Sequence, residues 1–206
     1  YLAGQGFEIT YLQPDSDGIV APQTVAEAIR SDTLIVSIMH ANNEIGVVND
    51  VAAIGQICRD AGVLMHTDAA QSAGKIPLDV ATMPIDLISL SAHKIYGPKG
   101  MGALYVRREP PVKLTPLIHG GGHERGMRSG TLATPLCVGF AEAMRITKQE
   151  AKRNREKLSH LKRFFLQQLE ETNIPFKLNG TQTQCHPGNI NVQFIGCDAN
   201  KLLEKL

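Results

Sequence analysis

Residues 85–94 read Ile-Asp-Leu-Ile-Ser-Leu-Ser-Ala-His-Lys, an apolar run that ends in polar and basic side chains. Residues 85–91 have the composition of a buried strand, and Lys94 lies just beyond its end. Residues 33–39 and 63–67 form similar apolar runs earlier in the chain, and helical patterns lie between them. Apolar strands that alternate with helices are typical of a parallel sheet covered on both faces, so the sequence predicts an α/β fold.

Other segments continue this alternation. The further predicted elements are strands at residues 7–12 and 101–107 and helices at residues 22–30 and 51–61. Asp50 can cap the second helix and Gly62 can close it. The later strands need not be parallel to the first ones.

A helical period extends from Pro135 to about Thr172. At about 1.5 Å per residue, one unbroken helix over this stretch would span roughly 57 Å, which is long for a compact domain. We therefore expect a kink or two helices. The basic run at residues 152–157 is most simply a solvated helix face.

The last part of the chain suggests a second domain. Residues 175–178 and 189–194 resemble strands, and Asp198 can cap a helix that reaches residue 206. The predicted division is a large domain at residues 1–150 and the start of a smaller α+β C-terminal domain at residues 151–206. Because the chain begins without methionine and ends inside a predicted helix, we expect a piece of a longer protein.

Composition narrows the function classes. The chain has 206 residues, 21 basic and 20 acidic, and a formal net charge of +1, so no overall field points to nucleic acid or an anionic membrane. No apolar run reaches the roughly 20 residues that span a bilayer, and no signal peptide opens the chain, which predicts a soluble, cytoplasmic protein. Four cysteines without a CxxC pair suit reduced thiols.

Polar residues follow several of the apolar runs. In α/β sheets ligands bind at the carboxyl ends of the strands, so these residues are candidates for a site. The polar segments are residues 40–44, 68–71 and 91–94, together with the glycine-rich loop at residues 119–131. We expect them to meet along one edge of the sheet.

Asp68 and Lys94 have the chemistry that pyridoxal 5′-phosphate (PLP) requires. A lysine amine condenses with the PLP aldehyde, and a carboxylate keeps the pyridine nitrogen protonated so that the ring accepts electrons. The two residues lie at the ends of successive predicted strands. By itself this spacing is weak, since Lys94 could be a surface lysine and Asp68 a helix cap.

Simpler interpretations exist for the other candidates as well. His40, His66 and His93 could be core or loop histidines. The pair His119 and His123 lacks a third ligand at a convincing spacing, so we predict no metal site. Residues 97–102 are rich in glycine but precede a strand and lack the GxGxxG order, which argues against a dinucleotide site.

Four ordered strings are specific enough to carry a family resemblance. They are His40-Ala-Asn-Asn-Glu-Ile-Gly46, His66-Thr-Asp-Ala-Ala-Gln-Ser72, Ser91-Ala-His-Lys-Ile-Tyr-Gly-Pro-Lys-Gly100 and Gly120-Gly-Gly-His-Glu-Arg-Gly-Met-Arg-Ser-Gly-Thr131. The chain resembles, over its whole length, the cysteine desulfurases of iron–sulfur cluster assembly and nitrogen fixation. These are class V PLP enzymes of the aspartate-aminotransferase fold (fold type I).

The resemblance implies a role for each matching residue. Lys94 would hold the cofactor and move the substrate Cα proton, and Asp68 would pair with the pyridinium nitrogen. The remaining roles would be Gln71 on the ring hydroxyl, Ser91 and His93 on the phosphate, Asn43 on the substrate carboxylate and cofactor, and Thr131 on the phosphate of the partner subunit. A homodimer is therefore implied, with sulfur-acceptor proteins such as a cluster scaffold as further partners.

The resemblance also implies a reaction, in which L-cysteine gives L-alanine and a persulfide on an enzyme cysteine. The family places that cysteine on a Ser-Gly-Ser-Ala-Cys-like loop, and no such string occurs here. We therefore expect this polypeptide alone to be inactive. The alternatives are a selenocysteine lyase or another aminotransferase-fold PLP enzyme, and a non-catalytic domain that keeps the fold.

Overall fold

The computed structural model describes residues 1–205 and contains a four-stranded main sheet. Its strands, in spatial order, are β1 (Ile35–Met39), β2 (Leu64–Asp68), β3 (Leu87–Ser91) and β4 (Gly102–Val106). The first three are parallel, and β4 pairs with β3 antiparallel. The predicted α/β fold with a mostly parallel sheet is therefore confirmed.

Two helices help to form the main core beside the sheet, α1 (Pro22–Ala28) and α2 (Val51–Asp60). Val25 of α1 and Ile54 of α2 are buried in one cluster with Met65 and Ile88 of the sheet. As predicted, the Asp50 carboxylate caps α2 by accepting a hydrogen bond of 2.9 Å from the Ala53 amide. Gly62 follows with φ +71°, a left-handed conformation that glycine adopts without strain.

The long helical stretch is a single helix, α3 (Thr134–Glu171), of 38 residues. The expectation of a kink or two helices is wrong. The sequence from residue 140 to 171 contains neither glycine nor proline, so nothing in it breaks the backbone ladder. The helix packs against the main sheet region through Phe140 and Ala143 and against the later chain near Leu158, which explains its length.

The predicted strand at residues 7–12 is absent, since residues 7–15 have no regular structure. Phe7, Ile9 and Tyr11 are exposed, and no segment within the described chain pairs with them. A strand needs a neighbour for its backbone groups, which local composition does not supply. The predicted helix at residues 22–30 ends earlier, at Ala28, because Ile29 has an extended backbone.

A second, two-stranded antiparallel sheet contains β5 (Phe176–Leu178) and β6 (Val192–Phe194). It is followed by the short helix α4 (Ala199–Leu203), which Asp198 caps as predicted. The helix ends before the predicted residue 206, which lies outside the described residues. Residue 150 lies inside α3, so the predicted domain boundary would divide a continuous helix; the division stays a prediction.

Across residues 1–205, no helix combines the length and the apolar character that crossing a membrane would require.

Candidate active site

Asp68 and Ser91 are the last residues of two neighbouring parallel strands, β2 and β3. Asp68 is paired in register with Ser89, and neighbouring strands lie about 4.8 Å apart. Ser91 comes two residues after Ser89 on the same face, because side chains alternate along a strand. The sheet therefore brings these two predicted site residues to one edge.

Lys94 lies in a single 3-10 turn, Ala92–Ile95, directly after β3. Ala92 and Ile95 are three residues apart, so they lie on the same side of the turn. Both are buried against Phe140 of α3, while Lys94 is exposed. The sequence Ala-His-Lys-Ile thus anchors two apolar side chains below and leaves His93 and Lys94 free to face a ligand.

Ser91 and His93 lie together at the same edge. The Ser91 hydroxyl and His93 Nδ1 are 3.1 Å apart and share a hydrogen bond. Either side chain can donate to an anion in place of this contact, and neither is fully buried. This pair suits an anionic group bound from solvent.

Asp68 is half-buried at the start of a tight turn. Its Oδ1 accepts a hydrogen bond of 2.8 Å from the Ala70 amide, which fixes the carboxylate in place. The Ser72 and Ala73 amides both donate to the Ala69 carbonyl and close the turn. Gln71 is half-buried within the same turn.

A polar row crosses the sheet one step below Asp68. His66 Nδ1 lies 2.7 Å from the Ser37 hydroxyl, and its Nε2 lies 2.9 Å from the Ser89 hydroxyl. Burial lowers the pKa of His66, although the Asp68 carboxylate acts in the opposite direction. The imidazole is therefore neutral at pH 7 and bridges three strands. From the sequence, His66 could be interpreted only as a core or loop histidine, and this bridge was not predicted.

His40 connects the segment that carries Asn43 to the Asp68 turn. Its backbone amide donates to the Asp68 carbonyl at 2.9 Å, and its Nδ1 lies 2.9 Å from the Ser72 hydroxyl. Burial lowers the pKa of His40, and the Asp50 carboxylate opposes this shift. Asn43 itself is exposed and donates to the Glu44 carboxylate at 2.7 Å.

Lys75 is a functional candidate that sequence analysis missed. The side chain is half-buried, and its pKa is lowered first by burial and then by the nearby Lys94 ammonium. Two amines thus lie in the same region. The sequence feature that could have indicated Lys75 is its position four residues after Gln71, in the loop that follows the Asp68 turn.

The hydrogen bonds of the glycine-rich loop are local within the described chain. The Ser129 hydroxyl accepts from the Gly122 amide, His123 Nδ1 accepts from the Gly130 amide, and the Ser129 amide donates to the carbonyl of the adjoining Ile118. Thr131 is exposed. Within residues 1–205, no hydrogen bond connects residues 119–131 to the turns that carry Asp68 and Lys94. Hydrogen bonds and strand pairing therefore connect three of the four polar segments, and the place of the fourth stays a prediction.

Two cavities, of about 460 and 410 Å³, lie elsewhere, between α3 and the segment that includes Pro187. None of the seven predicted site residues lines either cavity. At the edge that carries Lys94, both His93 and Lys94 are exposed.

The donor set at this edge fits PLP. It contains an exposed amine on Lys94, a fixed half-buried carboxylate on Asp68, and the paired hydroxyl and imidazole of Ser91 and His93. These match the aldehyde, the ring nitrogen and the phosphate of the cofactor in kind and number. The match is one of chemistry and of placement at one sheet edge.

Comparison with known proteins finds related sequences and structures. A cysteine desulfurase IscS of Ectopseudomonas mendocina is 51% identical over 205 residues, which cover 100% of this chain and 50% of that protein. A solved structure described as a NifS-like protein matches with a TM-score of 0.91 and 36% identity, over 99% of this chain and 55% of the other. A structure of SspA in complex with cysteine matches with a TM-score of 0.84 and 40% identity, over 99% and 56%.

The chain thus spans about half the length of the curated relatives it matches. The sequence profile of the aminotransferase class-V family matches residues 2–206, which is nearly all of it. The chain therefore belongs to the class-V aminotransferase family.

Proposed function

We propose that the whole protein is a PLP-dependent cysteine desulfurase, which converts L-cysteine to L-alanine and leaves a persulfide on an enzyme cysteine for iron–sulfur cluster assembly. One observation carries the proposal: the half-buried Asp68 ends β2, and the turn with Lys94 directly follows the adjacent parallel strand β3. Supporting it, the Ectopseudomonas mendocina relative is named a cysteine desulfurase, and the similar SspA structure was solved with cysteine.

Lys94 and Asp68 have the central roles in this proposal. PLP, when bound, supplies an electron sink that makes the substrate Cα proton acidic. Lys94 would hold the cofactor through Nζ and, as a free amine, would take and return the substrate Cα proton. Asp68 holds the proton on the ring nitrogen through a charge-assisted hydrogen bond, which is about twice as strong as a neutral one.

The other predicted residues bind and orient. Ser91 and His93 donate to the phosphate, and their 3.1 Å contact supports a shared role. Gln71 donates to the ring hydroxyl from the turn that also holds Asp68. Asn43 binds the substrate carboxylate and contacts the cofactor.

Sulfur transfer requires a mobile thiolate. Its attack on the substrate sulfur forms a sulfur–sulfur bond and breaks the carbon–sulfur bond, so the sulfur stays on the enzyme as a persulfide. The electron pair of the broken bond remains with the substrate Cβ, which takes up a proton to give alanine. Cys58 is unsuited to this role, because burial and the nearby Asp86 carboxylate raise its pKa to about 11. No Ser-Gly-Ser-Ala-Cys-like string occurs among the 206 residues, so we assign the nucleophile to another part of the whole protein.

A homodimer belongs to the same proposal. Thr131 and most of the loop before it are exposed and form no hydrogen bond to their own Lys94 turn within the described chain, which supports a contact with the site of a partner subunit. Such shared sites need a two-fold interface. Light scattering on the whole protein is expected to give a dimer, and a fully active monomer would remove the role of Thr131.

The remaining partners follow from the chemistry. A persulfide needs an acceptor, and we propose sulfur-acceptor proteins such as a cluster scaffold, in the cytoplasm. The near balance of 21 basic and 20 acidic residues gives no reason to add nucleic acid or a membrane surface.

Alanine formation by the whole protein tests the proposal. With PLP present, L-cysteine should yield alanine and protein-bound persulfide, and a Lys94→Ala variant should yield neither. Alanine from L-selenocysteine alone would indicate a selenocysteine lyase. No alanine from either substrate, together with no absorption change on adding PLP, would indicate a non-catalytic domain.

A further inference from the structure

The loop that carries Asn43 is held by a segment far away in sequence. Residues 42–46, here called the Asn43 loop, lie against residues 179–191, here called the clamp segment. The His186 amide donates to the Gly46 carbonyl at 2.7 Å, and the Val48 amide donates to the Gln184 carbonyl at 2.8 Å. The two stretches thus form a small irregular pairing outside the named strands.

Two asparagine amides of the clamp segment meet on one carbonyl of the loop. Asn189 Nδ2 and Asn191 Nδ2 donate to the Glu44 carbonyl at 3.1 and 3.2 Å. A carbonyl oxygen has two lone pairs and can accept both bonds. The Glu44 peptide, which directly follows Asn43, is therefore fixed from two directions.

Close packing adds to these bonds. A Cβ built on Gly46 would lie 2.6 Å from the Asn189 side chain, so the loop and the clamp segment touch with no room for even a methyl group. Gly46 also has φ +74°, which other residues adopt only with strain. Glycine at this position is what lets Asn189 reach the loop.

Inside the loop, the Asn42 side chain makes the remaining local bonds. Its Oδ1 accepts from the Glu44 and Ile45 amides at 2.8 and 3.0 Å. Asn43 lies at the exposed tip, and its side chain bonds only to the neighbouring Glu44 within the described chain. The placement of Asn43 therefore depends on where the Glu44 peptide is held.

We propose that Asn189 and Asn191 are positioning residues, which hold the Asn43 loop in the geometry that binds the substrate carboxylate. The proposal rests on the proposed function, because it gives Asn43 its substrate. It adds that segment 179–191, beyond α3, sets the affinity for substrate without touching it. A contact that holds substrate equally in the ground and transition states affects KM and leaves kcat unchanged.

The test uses an Asn189→Ala/Asn191→Ala variant of the whole protein, with Asn154→Ala as the control. The Asn154 side-chain amide also donates a hydrogen bond, of 3.4 Å to the Glu150 carboxylate, on the exposed side of α3. Loss of two hydrogen bonds should raise KM for L-cysteine about tenfold and change kcat less than about twofold. Amide hydrogen exchange at Glu44–Gly46 should become about tenfold faster, while the control matches the unmodified protein.

Hydrogen exchange needs no turnover, so it separates this proposal from the proposed function. Unchanged exchange in the Asn43 loop would overturn the clamp, whatever the enzyme does. Faster exchange with an unchanged KM would overturn the positioning role. If the double variant does not fold, Asn189→Ala alone should show the same changes at a smaller size, and their absence would also overturn the proposal.

Discussion

Asp68 offers the sharpest test among single residues, because its charge and its structural bond can be separated. Asp68→Asn keeps the side-chain shape and an oxygen that accepts the Ala70 hydrogen bond. It removes the negative charge that would hold a proton on the ring nitrogen. We expect kcat for alanine formation to fall about 100-fold or more, a barrier increase of about 2.7 kcal/mol.

The same variant should unfold within about 2 °C of the unmodified protein, since no packing or backbone bond is lost. Asp60→Asn is the matched control, because Asp60 is exposed at the end of α2 and accepts a side-chain bond from Gln56. Parallel kinetics and thermal unfolding measure both effects. Full turnover by Asp68→Asn would remove Asp68 from the proposed mechanism.

Cys58 gives a pH-dependent prediction at the same scale. Its pKa is raised from 9.0 to about 11 by burial and by Asp86. The folded state therefore holds the thiol proton more tightly than the unfolded state does. The stability from this group is present below pH 9 and is lost as the pH rises towards 11.

At pH 8 the thiolate fraction of Cys58 should be about a hundredfold smaller in the folded protein than in the unfolded protein. Alkylation by iodoacetamide, followed by mass spectrometry with and without urea, measures the difference. Exposed Cys197 serves as the internal control. If the alkylation rate of Cys58 rises less than about tenfold on unfolding, the assignment of a buried, protonated thiol is contradicted.

At the scale of elements, α3 supports the site by packing under the turn that follows Asp68. A Cβ built on Gly74 would lie 2.0 Å from Thr147 Cγ2, and Gly74 has φ +70°. Gly74→Ala should therefore suffer a backbone penalty of about 1 kcal/mol and an overlap penalty of about 1–3 kcal/mol. Gly62 has nearly the same φ, +71°, but open space around it, so Gly62→Ala should show the backbone penalty alone.

Thr147→Ser removes the methyl group that Gly74→Ala would strike. The double variant Gly74→Ala/Thr147→Ser should recover most of the difference between the two glycine variants. The melting temperatures of the two glycine variants, of Thr147→Ser and of the double variant, each compared with the unmodified protein, measure this recovery. Equal melting temperatures for Gly74→Ala and Gly62→Ala would show that α3 and the turn are not packed as described.

Sequence could predict the elements that depend on interactions between residues close together in the chain. The Asp50 cap and the Asp198 cap both depend on residues within a few positions. Residues 7–12 have strand composition but no partner strand within the described chain, so the prediction was wrong. A kink in α3 was expected because a helix of this length exceeds a compact domain. The helix is continuous because residues 140–171 contain neither glycine nor proline.

At the scale of the whole molecule, sheet topology explains why part of the site could be predicted. Parallel strands bring their carboxyl ends to one edge, so Asp68 and Ser91 could be grouped from their order in the chain. Lys75 was missed because its burial depends on tertiary packing. The bond from Asn189 to the Glu44 carbonyl joins residues 145 positions apart, and no local pattern indicates it.

The central claim is that Lys94 is the amine that holds PLP. Borohydride reduction of the whole protein with PLP, followed by proteolysis and mass spectrometry, tests it directly. Lys75 is the natural rival, because it is half-buried and its pKa is lowered by burial and by the Lys94 ammonium, which makes its amine more nucleophilic at neutral pH. The account predicts that the reduced cofactor is found on Lys94 and that Lys75→Arg leaves this labelling unchanged. Label on Lys75 or another lysine, with Lys94 unmodified, would contradict the account.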